Sequence, residues 1–338
     1  MSERFPRIRH YGPTPIGEQL LLREVVRIAF YMPHDHRELA EGVERALDTY
    51  RRVVGVGPGT ICHAWDAEGE NDQSLLEDKG WQVVRSWLRP STTWRFMDEF
   101  GEETEFFRRR TKKGYEVAIN LTGAPSEPTG YSFSYYARLP WRSPSEGSVS
   151  VLSATLPTEY LEAHGTARAR ELAMEMASHL RFSTGHAGLS FAFYRPYSRL
   201  IAGLRDEVFR HPGLDVPDGE LRSTVGTRVA GVHWLNFLSQ PVLGEVGGAE
   251  GLRTRLHSPE TTVQELDGER VVVTLGKWPE AGDLARGHDL PAYRELARVL
   301  EPWLEPFLPG HANTWRGYTQ EEVRRWWRRF LDEASLSQ

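Results

Sequence analysis

Apolar positions along the chain switch between two periods, and the switches mark the elements. Val25–Met32 (VVRIAFYM) is a run of β-branched and aromatic residues and predicts a buried strand, ended by Pro33. Asp35 and Glu38 have the spacing of a capping box. Leu39, Val43, Ala46, Leu47 and Tyr50 then recur at helical spacing until Gly55, Gly57, Pro58 and Gly59. Thr60–Trp65 reads as a second strand, Asp66–Asp78 as an acidic loop, and Trp81–Leu88 as a short helix. A further helix is expected from Pro90 and Ser91 to Lys112–Gly114. Its apolar face is Trp94, Met97, Phe100 and Phe107, and its other face is Asp98, Glu99, Glu102, Glu103 and Glu105.

Tyr115–Leu121, Tyr131–Leu139 and Ser148–Leu156 form a strand-like meander, followed by one long helix from Thr158 to about Leu180. Leu189–Tyr194, Val229–Leu238 and Val271–Leu275 are further strands, the middle one apolar enough to be central. His211–Ser223, with its prolines, glycines and charges, predicts a long loop. Helices are expected over Ala292–Trp303 and Gln320–Glu333, the latter opened by a capping box of Thr319 and Glu322. The order predicts an α+β (mixed α/β) fold, with an antiparallel-rich mixed sheet flanked by long helices. Residues 1–338 read as a single unit, in which sub-halves 20–142 and 148–335 each open with a strand and a long helix.

Composition narrows the function. Over 338 residues the formal net charge is −6, which disfavours a phosphate-tracking nucleic-acid surface and suits a basic protein partner. The 11 Trp serve a core or a binding hot spot equally well. Cys62 is the sole cysteine, so there is neither an intrachain disulfide nor a cysteine zinc site. Arg4, Arg7 and Arg9 precede no apolar run, and Leu20–Met32 is broken by Arg23, Glu24 and Arg27. The expectation is therefore a cytoplasmic protein, without a leader and without a membrane partner.

Candidate chemistry is sparse. His34, Asp35 and His36 could begin a metal-ligand set for a hydrolase, but Asp35 capping the helix, with both histidines exposed around its first turn, is the simpler reading. His63, His164, His186 and His233 supply no helical ligand pair. Gly55–Gly59 lacks the Lys-Ser/Thr of a phosphate loop and reads as a turn. Cys62 and His63 are strand neighbours facing opposite ways, so a buried structural cysteine is expected. Arg324, Arg325, Arg328 and Arg329 flank Trp326 and Trp327; the rings should pack inward, with the arginines solvated or paired to acids. A small-ligand scaffold around Trp141 and Trp234 is the remaining alternative. No catalytic residue and no cofactor is expected.

Several strings resemble one bacterial family. They are Phe30–His36 (FYMPHDH), Tyr131–Trp141 (YSFSYYARLPW), Leu156–Leu161 (LPTEYL), Ser183–Gly188 (STGHAG), Gly226–Leu238 (GTRVAGVHWLNFL), Leu256–Gly276 and Trp326–Leu331 (WWRRFL). On these the chain is similar to the type VI immunity family, across about Glu24 to Asp332. The resemblance implies a non-catalytic immunity protein that binds a cognate secreted antibacterial toxin encoded nearby; the expected lack of a leader adds, independently, a toxin acting in the cytoplasm, such as a nuclease. With the charge and the lack of an apolar span, no nucleic-acid partner and no membrane partner are expected, and a homodimer is compatible with the reading. Candidate toxin-binding residues are the acids Asp66, Glu68, Glu70, Asp72, Asp98 and Glu102.

Overall fold

Strand β2 (Gly17–Met32) organises the molecule, and its length follows from having a buried strand on each side. The computed structural model describes residues 4–14, 17–66, 72–89, 117–124, 127–138, 147–193, 197–308 and 315–332. Within them one 11-stranded sheet runs in the order β10-β11-β9-β8-β2-β7-β6-β5-β3-β4, with β1 (His10–Thr14) paired to β2. The other strands are β3 (His63–Asp66), β4 (Gln73–Ser74), β5 (Ala118–Thr122), β6 (Ser132–Tyr136), β7 (Ser150–Pro157), β8 (Thr184–Phe193), β9 (Leu235–Leu238), β10 (Thr261–Asp267) and β11 (Arg270–Leu275). Every pairing between these strands is antiparallel, so the α+β class holds and the parallel component of a mixed sheet is not seen among them. Strands from residues 20–142 and 148–335 share this sheet, with β2 held between β7 and β8.

The period of two along β2 sends side chains to two different environments. Leu22, Val26, Ile28, Phe30 and Met32 join the main core. Helix α1 (His36–Val54) contributes Leu39, Val43, Leu47 and Tyr50 to that core, and α4 (Thr166–His179) contributes Leu172, Ala173 and Met176. Phe30 meets Phe182 and Phe237 at ring-centroid distances of 5.3 and 5.2 Å. The opposite face carries Arg23, Val25, Arg27, Ala29 and Tyr31. Ala29 and Tyr31 pack there in a smaller apolar cluster with Val149, Val151, Leu221 and Val225.

That second face is covered mainly by irregular chain. Residues 211–220 lie along β8, where Asp215 N donates to Leu189 O and Ser190 Oγ donates to Asp215 O. Residues 226–234 follow, fixed by Thr184 Oγ1 to Arg228 O and by Val229 N to Trp303 O. The turn after α11 (Gln320–Trp327) completes the cover. The capping box of Thr319 and Glu322 forms as expected, and the turn at Asp267-Gly268 joins β10 to β11.

Three expectations are corrected. The helix from Thr158 is two helices, α3 (Thr158–His164) and α4, because Gly165 takes φ 78, which an L side chain rarely adopts. Of Val229–Leu238 only Leu235–Leu238 is strand; the preceding residues leave the sheet and form a layer over it. Asp35 occupies the N-cap position of α1 without a side-chain capping hydrogen bond, since its carboxylate instead faces Arg138 at 3.5 Å. The expected helix over Pro90–Gly114, with Asp98 and Glu102, lies outside the described residues, as do Glu68 and Glu70.

Candidate functional site

The densest polar chemistry lies on the second face of the sheet, beneath that irregular cover. Arg27 of β2 and His186 of β8 point the same way, because His186 is registered with Ala29 and Arg27 with Gly188. The absence of a side chain at Gly188 gives His233 its place: a Cβ there would stand 3.1 Å from His233 Cβ. The backbone of His233 is held by Asn236, whose Oδ1 accepts from His233 N at 2.9 Å and whose Nδ2 donates to His233 O at 2.6 Å. The two imidazoles then stack, with centroids 3.8 Å apart and planes inclined by 17°.

Asp215 and two arginines close the group. The Asp215 carboxylate stands 3.7 Å from Arg27 Nη1 and 3.7 Å from Arg329 Nη2. Arg27 Nη1 also approaches His186 Nε2 at 3.4 Å, and its Nε donates to Ser153 Oγ at 2.9 Å. Arg329 Nε donates to Pro212 O at 2.8 Å, and its guanidinium lies 3.8 Å from the Trp326 ring centroid. One side chain from the C-terminal turn thus holds both ends of the 212–215 segment. His186, Asp215 and His233 each offer a ligand atom, and these atoms lie within 4.8 Å of one another.

Burial sets the electrostatics. Both rings are 4% exposed, and burial penalises the imidazolium form. It lowers His233 to about 4, with Asp215 opposing. His186 falls well below its ordinary value through burial, with His233, Arg27 and Arg329 adding to the effect. Burial also pulls Arg329 down to about 10, against the attraction of Asp215. Tyr31 leans over the group, its ring 5.8 Å from that of His186. Its buried hydroxyl makes no hydrogen bond of ordinary geometry among the described residues, and Arg27 is its charged neighbour. The site therefore holds two neutral imidazoles and a carboxylate between guanidinium cations, with only the edges of the charged groups reaching solvent.

The residues anticipated from sequence are placed otherwise. His36, expected to be exposed, is 1% exposed: Nε2–H donates to Leu88 O at 3.0 Å, leaving Nδ1 to accept from the Tyr135 hydroxyl at 3.2 Å. With both nitrogens occupied, His36 has no lone pair for a metal, and His34 turns to Glu38 at 3.4 Å. His34, Asp35 and His36 do not converge, so a hydrolase centre on them has no geometric basis. Asp66 ends β3, and Asp72 is exposed beside His63, 3.5 Å from its Nδ1. Cys62 is buried and free, its thiol donating to Gly123 O at 2.9 Å, and burial raises its pKa. Trp234 is buried, with Nε1 on Gly276 O at 3.0 Å, while Trp141 lies outside the described residues. Trp326 and Phe330 pack inward as expected, Arg328 pairs with Asp332 and Glu301, and Arg329 pairs with Asp215.

What sequence reasoning missed is the convergence of Arg27, His186, Asp215, His233 and Arg329. The available signal was local: the charge of Arg27 inside the apolar strand run VVRIAFYM, and a histidine in each of the strings STGHAG and GVHWL.

The comparisons with known proteins bear on the chain as a whole. The family described as TsiV, type VI immunity for VRR-NUC, matches residues 42–330. The chain belongs to this immunity family. The match runs from within α1 through the sheet from β3 onward to the C-terminal turn that carries Arg329. Among solved structures, the Pseudomonas aeruginosa T6SS protein PA0821 superposes with a TM-score of 0.72 at 17% identity, covering 98% of this chain and 90% of that one. At that identity the likeness is one of fold. No curated protein matches the chain. Among the described residues, no helix is long and apolar enough to cross a membrane.

Proposed function

We propose that this member of the immunity family binds a nuclease effector of the VRR-NUC type and blocks it sterically, without chemistry of its own. The observation that carries this reading is the family match over residues 42–330. Burial supports it: the cluster of His186, Asp215 and His233 is closed under the 211–234 cover, where a polymeric substrate has no approach. The net charge of −6 favours encounter with a basic partner, chiefly through the association rate.

The contact surface we favour is the β3–β4 end of the sheet. Asp66 and Asp72 flank the acidic segment there, and Leu76 just after β4 is 57% exposed, beside Glu77 and Asp78. An apolar side chain within an acidic rim has the composition of an interface anchor. Glu68, Glu70, Asp98 and Glu102 extend the same acidic proposal. The test is co-expression with the effector encoded beside the gene, scored by growth rescue and by co-purification. Wild-type chain should rescue growth and form a stable complex. Leu76→Asp should weaken the complex by about tenfold or more, equivalent to about 1.4 kcal/mol. Charge reversal at Asp66 and Asp72 should slow association and reduce its salt dependence. Failure of the wild-type chain to bind or protect would overturn the reading; rescue untouched by all three changes would move the surface elsewhere.

A further inference from the structure

We propose that His186, Asp215 and His233 form a binding site for one divalent transition-metal ion of the zinc class. Two imidazoles and a carboxylate are a ligand set such ions take, commonly with water or a fourth protein oxygen completing the shell. The three ligands come from β8, from the 211–220 loop and from the segment before β9, so a bound ion would tie two covering segments to the sheet.

The polar groups around this point are incompletely satisfied by protein. A carboxylate can accept about four hydrogen bonds. That of Asp215, whose side chain is 13% exposed, makes two ion pairs at 3.7 Å and no side-chain hydrogen bond among the described residues. Among the described residues, the ring nitrogens of His186 have only the long 3.4 Å approach of Arg27. The Tyr31 hydroxyl, wholly buried beside it, makes no hydrogen bond of ordinary geometry among the described residues, with Arg27 as its charged neighbour. Buried polar atoms are rarely left so, and an ion with its bound water would satisfy acceptors and hydroxyl together.

Arg27 and Arg329 oppose a cation, which gives the proposal a distinctive signature. Arg27 is the nearer obstacle, because it occupies the face of His186 Nε2 that an ion would use. Its removal should tighten metal binding, whereas removal of a ligand should abolish it. Chelator-stripped full-length protein should take up one Zn2+ per chain by calorimetry. With Co2+ in place of zinc it should show the visible absorption of a low-coordinate site with nitrogen ligands. His233→Ala and Asp215→Asn should lose this uptake, and Arg27→Gln should lower Kd by about tenfold or more, as expected for deleting a nearby positive charge. The Co2+ spectrum of the wild-type chain needs no variant to fold. Absence of stoichiometric uptake by wild type would overturn the proposal, as would uptake unchanged in both ligand variants. These measurements read the ion directly and are independent of toxin binding.

Discussion

Single residues carry charge into places where water cannot follow. Glu24 is fully buried, yet it sits in a strand of apolar residues because three arginines surround it. Arg7 Nη1 reaches its Oε1 at 3.2 Å and Arg9 Nη2 at 3.0 Å, while Arg9 and Arg23 also grip Glu159. Removing one member of a buried ion group leaves the others uncompensated, a loss that typically reaches about 3–5 kcal/mol. Arg7 and Arg9 are partly exposed and can relax toward solvent. Glu24→Ala should therefore destabilise by about 3 kcal/mol, the lower end of that range, read from the urea midpoint. A change below about 0.5 kcal/mol would show that the arginines are held by Glu159 and Glu162 without Glu24.

Elements meet where small residues let them. Gly42 lies in α1 where the last carbonyl of α4 crosses it, and a Cβ there would stand 2.3 Å from His179 O. Helix propensity by itself predicts that Gly42→Ala gains about 1 kcal/mol. The clash is with backbone, not with the end of a flexible side chain, so α1 and α4 must separate. We expect a net loss of about 1–3 kcal/mol instead. Equilibrium unfolding decides the sign, and a stabilised variant would mean that the two helices slide apart at little cost. Element lengths follow the same logic. Gly165 splits the run from Thr158, whereas Thr319 and Glu322 start α11 where their spacing placed it.

Across the whole molecule, three buried histidines couple the fold to pH. Burial holds His36 and His233 down to about 4 and His186 well below its ordinary value, whereas in the unfolded chain each would titrate near 6.5. Below pH 6.5 the unfolded chain binds protons that the folded chain refuses, so acid favours unfolding. The penalty is absent above about pH 6.5 and grows as pH falls from there toward 4. Tm should drop steeply across that window, and His36→Gln should flatten the slope by removing one of the three groups. A Tm profile flat from pH 7 to 4.5 would contradict the neutral assignment. Because His186 and His233 lie under the cover while His36 lies by α1, acid should loosen both faces of the sheet.

Elements with strong local patterns were legible from the chain alone. The β2 core Val25–Met32, the apolar face of α1, the meander of β5 to β7 and the capping box of α11 all follow from short-range spacing, which side-chain alternation and backbone capping dictate locally. The motif strings of Phe30–His36 and Trp326–Leu331 likewise pointed to the immunity family that matches residues 42–330. The cluster of Arg27, His186, Asp215, His233 and Arg329 was decided only in three dimensions. Its members are as many as 302 positions apart (329 − 27), and their meeting depends on β2 inserting between β7 and β8, and on irregular chain folding back over one sheet face. His36 shows the same limit. Its sequence neighbours place it on the first turn of a helix, but whether that turn faces water or Tyr135 and Leu88 depends on what packs against it. Periodicity is a property of neighbours along the chain; burial and convergence belong to the packing of distant segments.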